Sequence, residues 1–388
     1  MAVSIDQSTG CLLVDGAKVF PIALSNPPPV GGATPSGTDG WNEVKSAGVN
    51  FIRTRLVEWD LGQIDAQIAQ VKTVFDAAGA KGFHCWLQLG EVANLPTTPN
   101  STNEQLLKKI ANGLKAHAAL GVYKGVDEPA NPNRPSPVPA AGLVRAYQKL
   151  KALDPNHPVV ITQAPLGTAA SLTPYRPAFD ITGADVYPVS YPPGVHTDLP
   201  NKDISVVGDM TRKMVTAAGG KPVWMTLQIA WSGVIQNQQH PGNVPRFPTL
   251  LEERFMAYQA IVAGARGLVF YGGDFTTVMR PRDAQLGWNW FFWQTVLHPL
   301  LIELTSPSVG PALVAPNAPN QVTTSANDVD SLTRKDGQTE VMFEYVQRPL
   351  SPPVDPTKQA FRLVTVANGG FQDWFGPHDA RVYRFTLP

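Results

Sequence analysis

The chain has 388 residues, 43% of them hydrophobic and only 16% charged, which excludes an intrinsically disordered protein and exceeds one ordinary domain of about 150 residues. Lys plus Arg equals Asp plus Glu at 31 each, so no net field draws the molecule to nucleic acid or to an anionic membrane, and a neutral ligand fits better. No run approaches the roughly 18 apolar residues of a membrane span, so a soluble protein is expected.

The start, Met1-Ala2-Val3-Ser4-Ile5-Asp6, has neither the basic nor the apolar region of an export signal. A Met-Ala start on a mature-looking chain is what removal of such a signal leaves. The expected compartment is therefore secreted or periplasmic, with the cytoplasm left open. Residues 10–20 read as a hairpin turning at Asp15-Gly16, and residues 1–18 as a cap on the larger unit that begins at residue 19.

From residue 19 to residue 305 strand-like and helix-like segments alternate, the signature of successive βα units on a parallel sheet. The predicted strands are 19–24, 50–55, 83–89, 122–127, 159–163, 180–185, 223–228 and 267–271, with helices such as 64–78, 104–120, 140–153 and 250–263 between them. Eight units predict a (β/α)8 barrel. Glycine joints at Ala47-Gly48-Val49-Asn50, Ala80-Lys81-Gly82-Phe83 and Ala265-Arg266-Gly267-Leu268 release helices into strands. After Pro307 the helical period disappears; strand-like segments 340–345, 361–367 and 380–385 predict a small C-terminal β-sandwich over 310–388, packed on the barrel's side. Cys11 and Cys85 lack metal or redox spacing and are expected to stay unpaired.

Active sites of such barrels lie at the C-terminal ends of the strands. The polar residues there are Arg53, Arg55, Gln88, Glu91, Asp127, Glu128, Gln163, Asp185, Tyr187, Gln228 and Asp274. Glu128 stands apart, because the run Pro129-Ala130-Asn131-Pro132-Asn133-Arg134-Pro135 after it cannot begin a helix that it would cap. The alternative is a structural salt bridge from Glu128 to Arg53 or Lys124. Strand alternation keeps Asp127 and Glu128 from sharing the mouth unless the strand ends between them.

Taken together, these segments resemble the clan A glycoside hydrolases, (β/α)8 barrels that cleave glycosidic bonds with retention through two carboxylates. The likeness rests on Ala47-Gly48-Val49-Asn50-Phe51-Ile52-Arg53, on Asp127-Glu128-Pro129 in place of an Asn-Glu-Pro motif, on Asp185-Val186-Tyr187-Pro188, and on Tyr271 closing strand eight. It implies Glu128 as general acid/base, with Arg53, Asp127, Tyr187 and Gln228 contacting the sugar. The resemblance also implies a glutamate nucleophile ending strand seven, where this chain has Gln228, an amide unable to attack an anomeric carbon. Three explanations stay open: an engineered Glu-to-Gln change, a branch using another carboxylate, or a barrel that binds sugar without cleaving it.

If another carboxylate serves, Asp185 is the first candidate, Glu91 the second and Asp274 the third. Each also has a structural reading, as an ion pair, a loop cap and an Asx turn respectively. Trp59, Trp86, Trp231 and Tyr271 are candidate sugar-stacking rings, whereas Trp288, Trp290 and Trp293 fall on the last helix as packing. The 231–248 loop, with His240, is long enough to wall a cleft. No metal-ligand spacing, phosphate loop or nucleophile elbow is present, so neither a metal nor a cofactor is expected. The expected activity is hydrolysis of a neutral oligo- or polysaccharide, with a catalytically silent carbohydrate-binding barrel or a transglycosylase as alternatives.

Overall fold

The computed structural model describes residues 2–54, 57–136, 138–189, 197–231, 246–326, 328–337, 339–346, 369–373, 375 and 378–386. Strands β1 (Val3–Ile5), β2 (Leu12–Val14) and β3 (Ala17–Val19) form an antiparallel sheet, with Asp15 and Gly16 at φ 47° and 84° in the tight turn between the last two. Eight parallel strands come next. They are β4 (Ile22–Leu24), β5 (Phe51–Arg53), β6 (His84–Gln88), β7 (Leu120–Lys124), β8 (Val159–Gln163), β9 (Ile181–Ala184), β10 (Trp224–Gln228) and β11 (Gly267–Tyr271).

Each strand pairs with its predecessor from β4 to β9, and β10 continues through β11 back to β4. The remaining seam, β9 against β10, closes through the bridges Thr182 to Val223 and Asp185 to Thr226 and through hydrogen bonds from Thr182 N to Pro222 O (3.1 Å) and Val186 N to Thr226 O (3.0 Å). The chain is a (β/α)8 barrel. Gly183 makes the seam possible: a Cβ there would lie 1.6 Å from the Trp224 carbonyl oxygen.

Strand alternation sends Ala23, Phe51, Trp86, Val122, Val160, Ile181, Trp224 and Val269, one from each strand, into a common interior layer. Val3, Leu12 and Val14 of the N-terminal sheet join that layer and plug the barrel's lower end. The opposite strand faces carry Ile22, Leu24, Ile52, Cys85, Leu87, Tyr123, Ile161, Met225, Leu227, Leu268 and Phe270 into the larger core beneath the helices. Cys11 and Cys85 are both buried free thiols.

Several element boundaries differ from the predicted ones for local reasons. The 104–120 helix runs instead over Thr102–Leu114, begun by the Ser101 hydroxyl that accepts from Glu104 N, so Leu120 is free to open β7. Of the three glycine joints, Gly48 and Gly82 adopt left-handed backbone (φ 99° and 72°), but at the third Gly264 (φ 111°) makes the turn and Gly267 already lies in β11. After the barrel come a short helix, Gly310–Val314, and a three-stranded antiparallel sheet of β12 (Val329–Asp336), β13 (Thr339–Val346) and β14 (Ala380–Thr386).

This sheet sits on the barrel's side. Arg212 of the helix Val206–Ala218 pairs with Asp330, and Arg254 of the helix Leu250–Val262 donates to the Ala380 carbonyl. A single three-stranded layer is present among the described residues; the expected strand at 361–367 lies outside them. Among the described residues no helix is long and apolar enough to cross a membrane.

Gly183→Ala should destabilise the barrel by about 1–3 kcal/mol or more, since a backbone carbonyl cannot move aside as a side chain can. A urea-denaturation midpoint unchanged from wild type would count against this close approach at the seam.

Candidate functional site

Strand β7 ends at Lys124, three residues earlier than the sequence pattern suggests, and this changes what its end can do. Gly125 N and Glu128 N still donate to Val160 O and Thr162 O of β8, both at 2.9 Å, but the regular alternation has stopped. Glu128 then takes φ 45°, a left-handed conformation that a residue other than glycine adopts at a cost of about 1–3 kcal/mol. Because the strand ends before both residues, Asp127 and Glu128 reach the same mouth.

The proline-rich loop after Glu128 is held by that turn. Asn131 donates from its backbone to Glu128 O (3.0 Å) and from its side chain to Glu128 Oε2 (2.7 Å), while Arg134 donates to Asp127 O (2.7 Å). Such bonds fix the carboxyl's direction as well as the loop.

Lys124 points into the barrel, 1% exposed, with Nζ 2.5 Å from Asp127 Oδ1. The expected alternative, a salt bridge from Lys124 to Glu128, is thus replaced by one to Asp127. Asp127 lies in a concavity: 54% of its side-chain surface is open, yet protein surrounds it at longer range. That crowding acts to raise its carboxyl, but Lys124, Arg53 and Arg134 outweigh it and hold Asp127 below the ordinary carboxylate range. Arg53 is anchored by its Nε donating to Ser25 O at 3.1 Å.

Across the mouth, past the end of β9, the Asp185 carboxyl is within hydrogen-bonding reach of Glu128. Burial, then the charges of Glu128 and Asp127, push Asp185 well above the usual carboxylate range. Two close carboxylates cannot both ionise cheaply, which favours the protonated form of Asp185. Tyr187 donates to Asp185 Oδ2 at 3.4 Å, and burial followed by the neighbouring carboxylates raises its hydroxyl. Its ring stacks on Tyr271 (5.6 Å between centroids, 10° between planes) and tilts against Trp231 (5.9 Å).

Three expectations are corrected. Gln228 is fully buried, and its amide forms a reciprocal pair with the Val189 backbone, Nε2 to O and N to Oε1 both at 2.8 Å, leaving nothing for a sugar. Trp86 is not at the mouth but in the lower interior layer, 2% exposed and edge-on to Trp224. Glu91, 62% exposed, is engaged by Arg134 at 2.5 Å and braces the loop rather than facing Glu128.

The other candidates fall around the rim. Exposed Asp274 accepts from the Asn26 amide at 3.1 Å. Trp59 is half-buried and donates to Gln88 O at 3.1 Å, placing its ring beside the end of β6. Tyr271 is half-buried, with Phe275 edge-on to it. Arg55, His240 and most of the 231–248 loop lie outside the described residues. The alternation Val122-x-Lys124 is the signal by which Lys124 could have been recognised as an inward cation. Among the described residues no group of three or more His, Cys, Asp or Glu side chains is arranged to hold a metal ion.

No family model matches the sequence, and no curated protein is similar to it in sequence. Solved structures are similar. One glycoside hydrolase, 15% identical, superposes with a TM-score of 0.58 over 100% of this chain and 93% of its own. A family 5 glycoside hydrolase from Bacteroides vulgatus (13% identity, TM-score 0.58) covers 89% of this chain and 82% of its own. A family 39 glycoside hydrolase from the gut symbiont Bacteroides cellulosilyticus (13%, TM-score 0.53) covers 99% and 82%. The likeness is one of fold. It agrees with the resemblance drawn from the strand-end motifs, and at this identity says nothing of which carboxylate does what.

Gln228→Glu, the substitution that would place a carboxylate at the end of β10, should abolish the pairing with Val189 and bury an anion against a carbonyl. The new carboxyl's folded-state pKa would lie above its unfolded value, so the variant's deficit should widen as pH rises through the carboxylate range, reaching about 3–5 kcal/mol at neutral pH. Urea denaturation of both proteins at acidic and neutral pH measures this, and a deficit independent of pH would contradict the buried clamp.

Proposed function

We propose that this protein is a retaining glycoside hydrolase acting on a neutral oligo- or polysaccharide. The observation that carries the proposal is the Glu128 and Asp185 pair, two carboxyls within hydrogen-bonding reach at the C-terminal mouth of the barrel, with Asp185 pushed well above the usual carboxylate range. Retention is what the resemblance to the clan A glycoside hydrolases implies.

The resemblance assigns the acid role to Glu128. The raised Asp185 carboxyl and the amide donated by Asn131 to Glu128 favour the exchanged roles. Asp185 gives its proton to the glycosidic oxygen as the carbon–oxygen bond breaks, and the Glu128 carboxylate attacks the anomeric carbon to form a glycosyl ester. Asp185, now ionised, takes a proton from water, whose oxygen displaces Glu128. The pair returns to its starting state with one proton. Arg53, fixed by Ser25, and Asp127, held ionised by Lys124, are placed to contact sugar hydroxyls, with Tyr271 and Trp59 offering ring faces to the pyranose.

Reducing-sugar release from a panel of neutral glycans tests this. Asp185→Asn and Glu128→Gln should each lower kcat by about 10²- to 10⁴-fold. Azide added to Glu128→Ala should restore turnover and yield a glycosyl azide of inverted configuration, whereas the same rescue in Asp185→Ala should yield the retained one; the opposite pattern would return the roles to those that the resemblance implies. A wild-type protein that binds glycans yet cleaves none would favour the sugar-binding barrel, a reading supported by an amide rather than a carboxylate ending β10.

A further inference from the structure

We infer that Asn131 is a positioning residue for the proposed hydrolysis: its side-chain amide holds the Glu128 carboxyl at the mouth, so that the carboxylate meets the anomeric carbon already oriented. This deepens the hydrolase reading, on which its kinetic consequence rests, while its structural consequence stands apart from turnover. Asn131 is half-buried and lies three residues beyond Glu128, in the loop and not at a strand end.

The loop is built to present that amide. Glu128, Pro129, Ala130 and Asn131 form a turn closed by Asn131 N donating to Glu128 O at 3.0 Å, and a proline in second place presets the backbone angle that such a turn needs. Pro132 then disfavours helical backbone at Asn131. The Asn131 side chain works in two directions: Oδ1 accepts from Asn133 N at 2.9 Å, an Asx turn, and Nδ2 donates to Glu128 Oε2 at 2.7 Å. Together the two bonds fix which end of the amide faces which partner. Turned over, it would set its NH2 against the Asn133 N–H and its oxygen against the carboxyl, two mismatches in place of two bonds. Neighbours brace the same loop, since Ala130 N donates to Gln163 Oε1 at 3.4 Å and Arg134 ties Asp127 O to the Glu91 carboxylate.

A glutamate side chain turns about three bonds, and the left-handed backbone at Glu128 settles only where that side chain begins. With Oε2 tied to Asn131, the far end is fixed as well. An untethered carboxylate would have to give up its rotamer freedom on the way to the transition state; here that ordering is already part of the fold.

Two substitutions separate aiming from bracing. Asn131→Asp keeps an oxygen for the Asn133 N–H, so the turn survives, but offers Glu128 an acceptor in place of a donor. Asn131→Ser acts by reach, since its hydroxyl can close a similar turn and is too short for Oε2. In each, kcat for glycan hydrolysis should fall about 10- to 100-fold while KM changes less than about threefold, the pattern of a lost interaction that orients a reacting group. Crystal structures of the wild type and both variants at neutral pH should show the Glu128 carboxyl displaced by about 1 Å or more from its wild-type place. A residue that only braced the loop would lower the melting temperature of its variants and leave kcat as it was. Wild-type kcat in a folded variant, or a Glu128 carboxyl that stays in place, overturns the proposal, and Asn131→Ser retains the test if Asn131→Asp does not fold. Failure of the hydrolase reading would appear separately, as a wild-type protein that cleaves no glycan, and the crystal structures would still decide what places Glu128.

Discussion

Closing eight parallel strands into a ring forces every second side chain into one enclosed space, and the remaining features of this protein depend on how that space is filled. At its lower end it is apolar: eight buried side chains, one per strand, meet the N-terminal sheet. Two residues further along, the same alternation delivers Arg53 from β5 and Lys124 from β7, and beyond the strand ends come three carboxyls. An apolar floor under a charged mouth makes each charge at the boundary dependent on its neighbours, because solvent can reach only from above. The raised Asp185 carboxyl and the buried Lys124 are two consequences of that boundary.

The seam between β9 and β10 shows how backbone approach and chemistry are linked. Gly183 lets the two strands close, and directly beyond it Asp185 bridges to Thr226 before turning its carboxyl toward Glu128. The segment continuing from Asp185 is then pinned by Gln228 through both hydrogen bonds of the Val189 residue. A glutamine meets that need because it offers one donor and one acceptor in a plane, as a peptide group does; glutamate offers only acceptors. The amide that ends β10 therefore has a mechanical explanation within the barrel wall.

Much of this was legible in the chain because it is written in periods. The β8 strand, the helix Ala140–Leu153 and the β11 strand lie where alternation and helical spacing put them, and the hairpin turn at Asp15-Gly16 arises from the left-handed tolerance of that pair. The position of Glu128 just past a strand end was legible for a related reason, since a proline-rich loop follows it instead of a helix that it would cap. What was hidden depended on contacts across the barrel. No local pattern distinguishes a Trp86 that packs on Trp224 from one that faces a ligand, or a Gln228 that pairs with Val189 from one that touches sugar. The partnership of Glu128 with Asp185 joins the ends of two strands that have β8 between them, which no local pattern announces.

The left-handed backbone at Glu128 carries an implication for how such a protein would drift. Glycine or asparagine would occupy that dihedral at lower conformational cost, and neither carries a carboxylate. Random change screened only for thermal robustness would therefore tend to erase the carboxyl, while screening for the proposed glycosidase turnover would retain it. Position 128 is a place where durability and chemistry pull in opposite directions, and a population of sequences evolving on this barrel would reveal which of the two it was kept for.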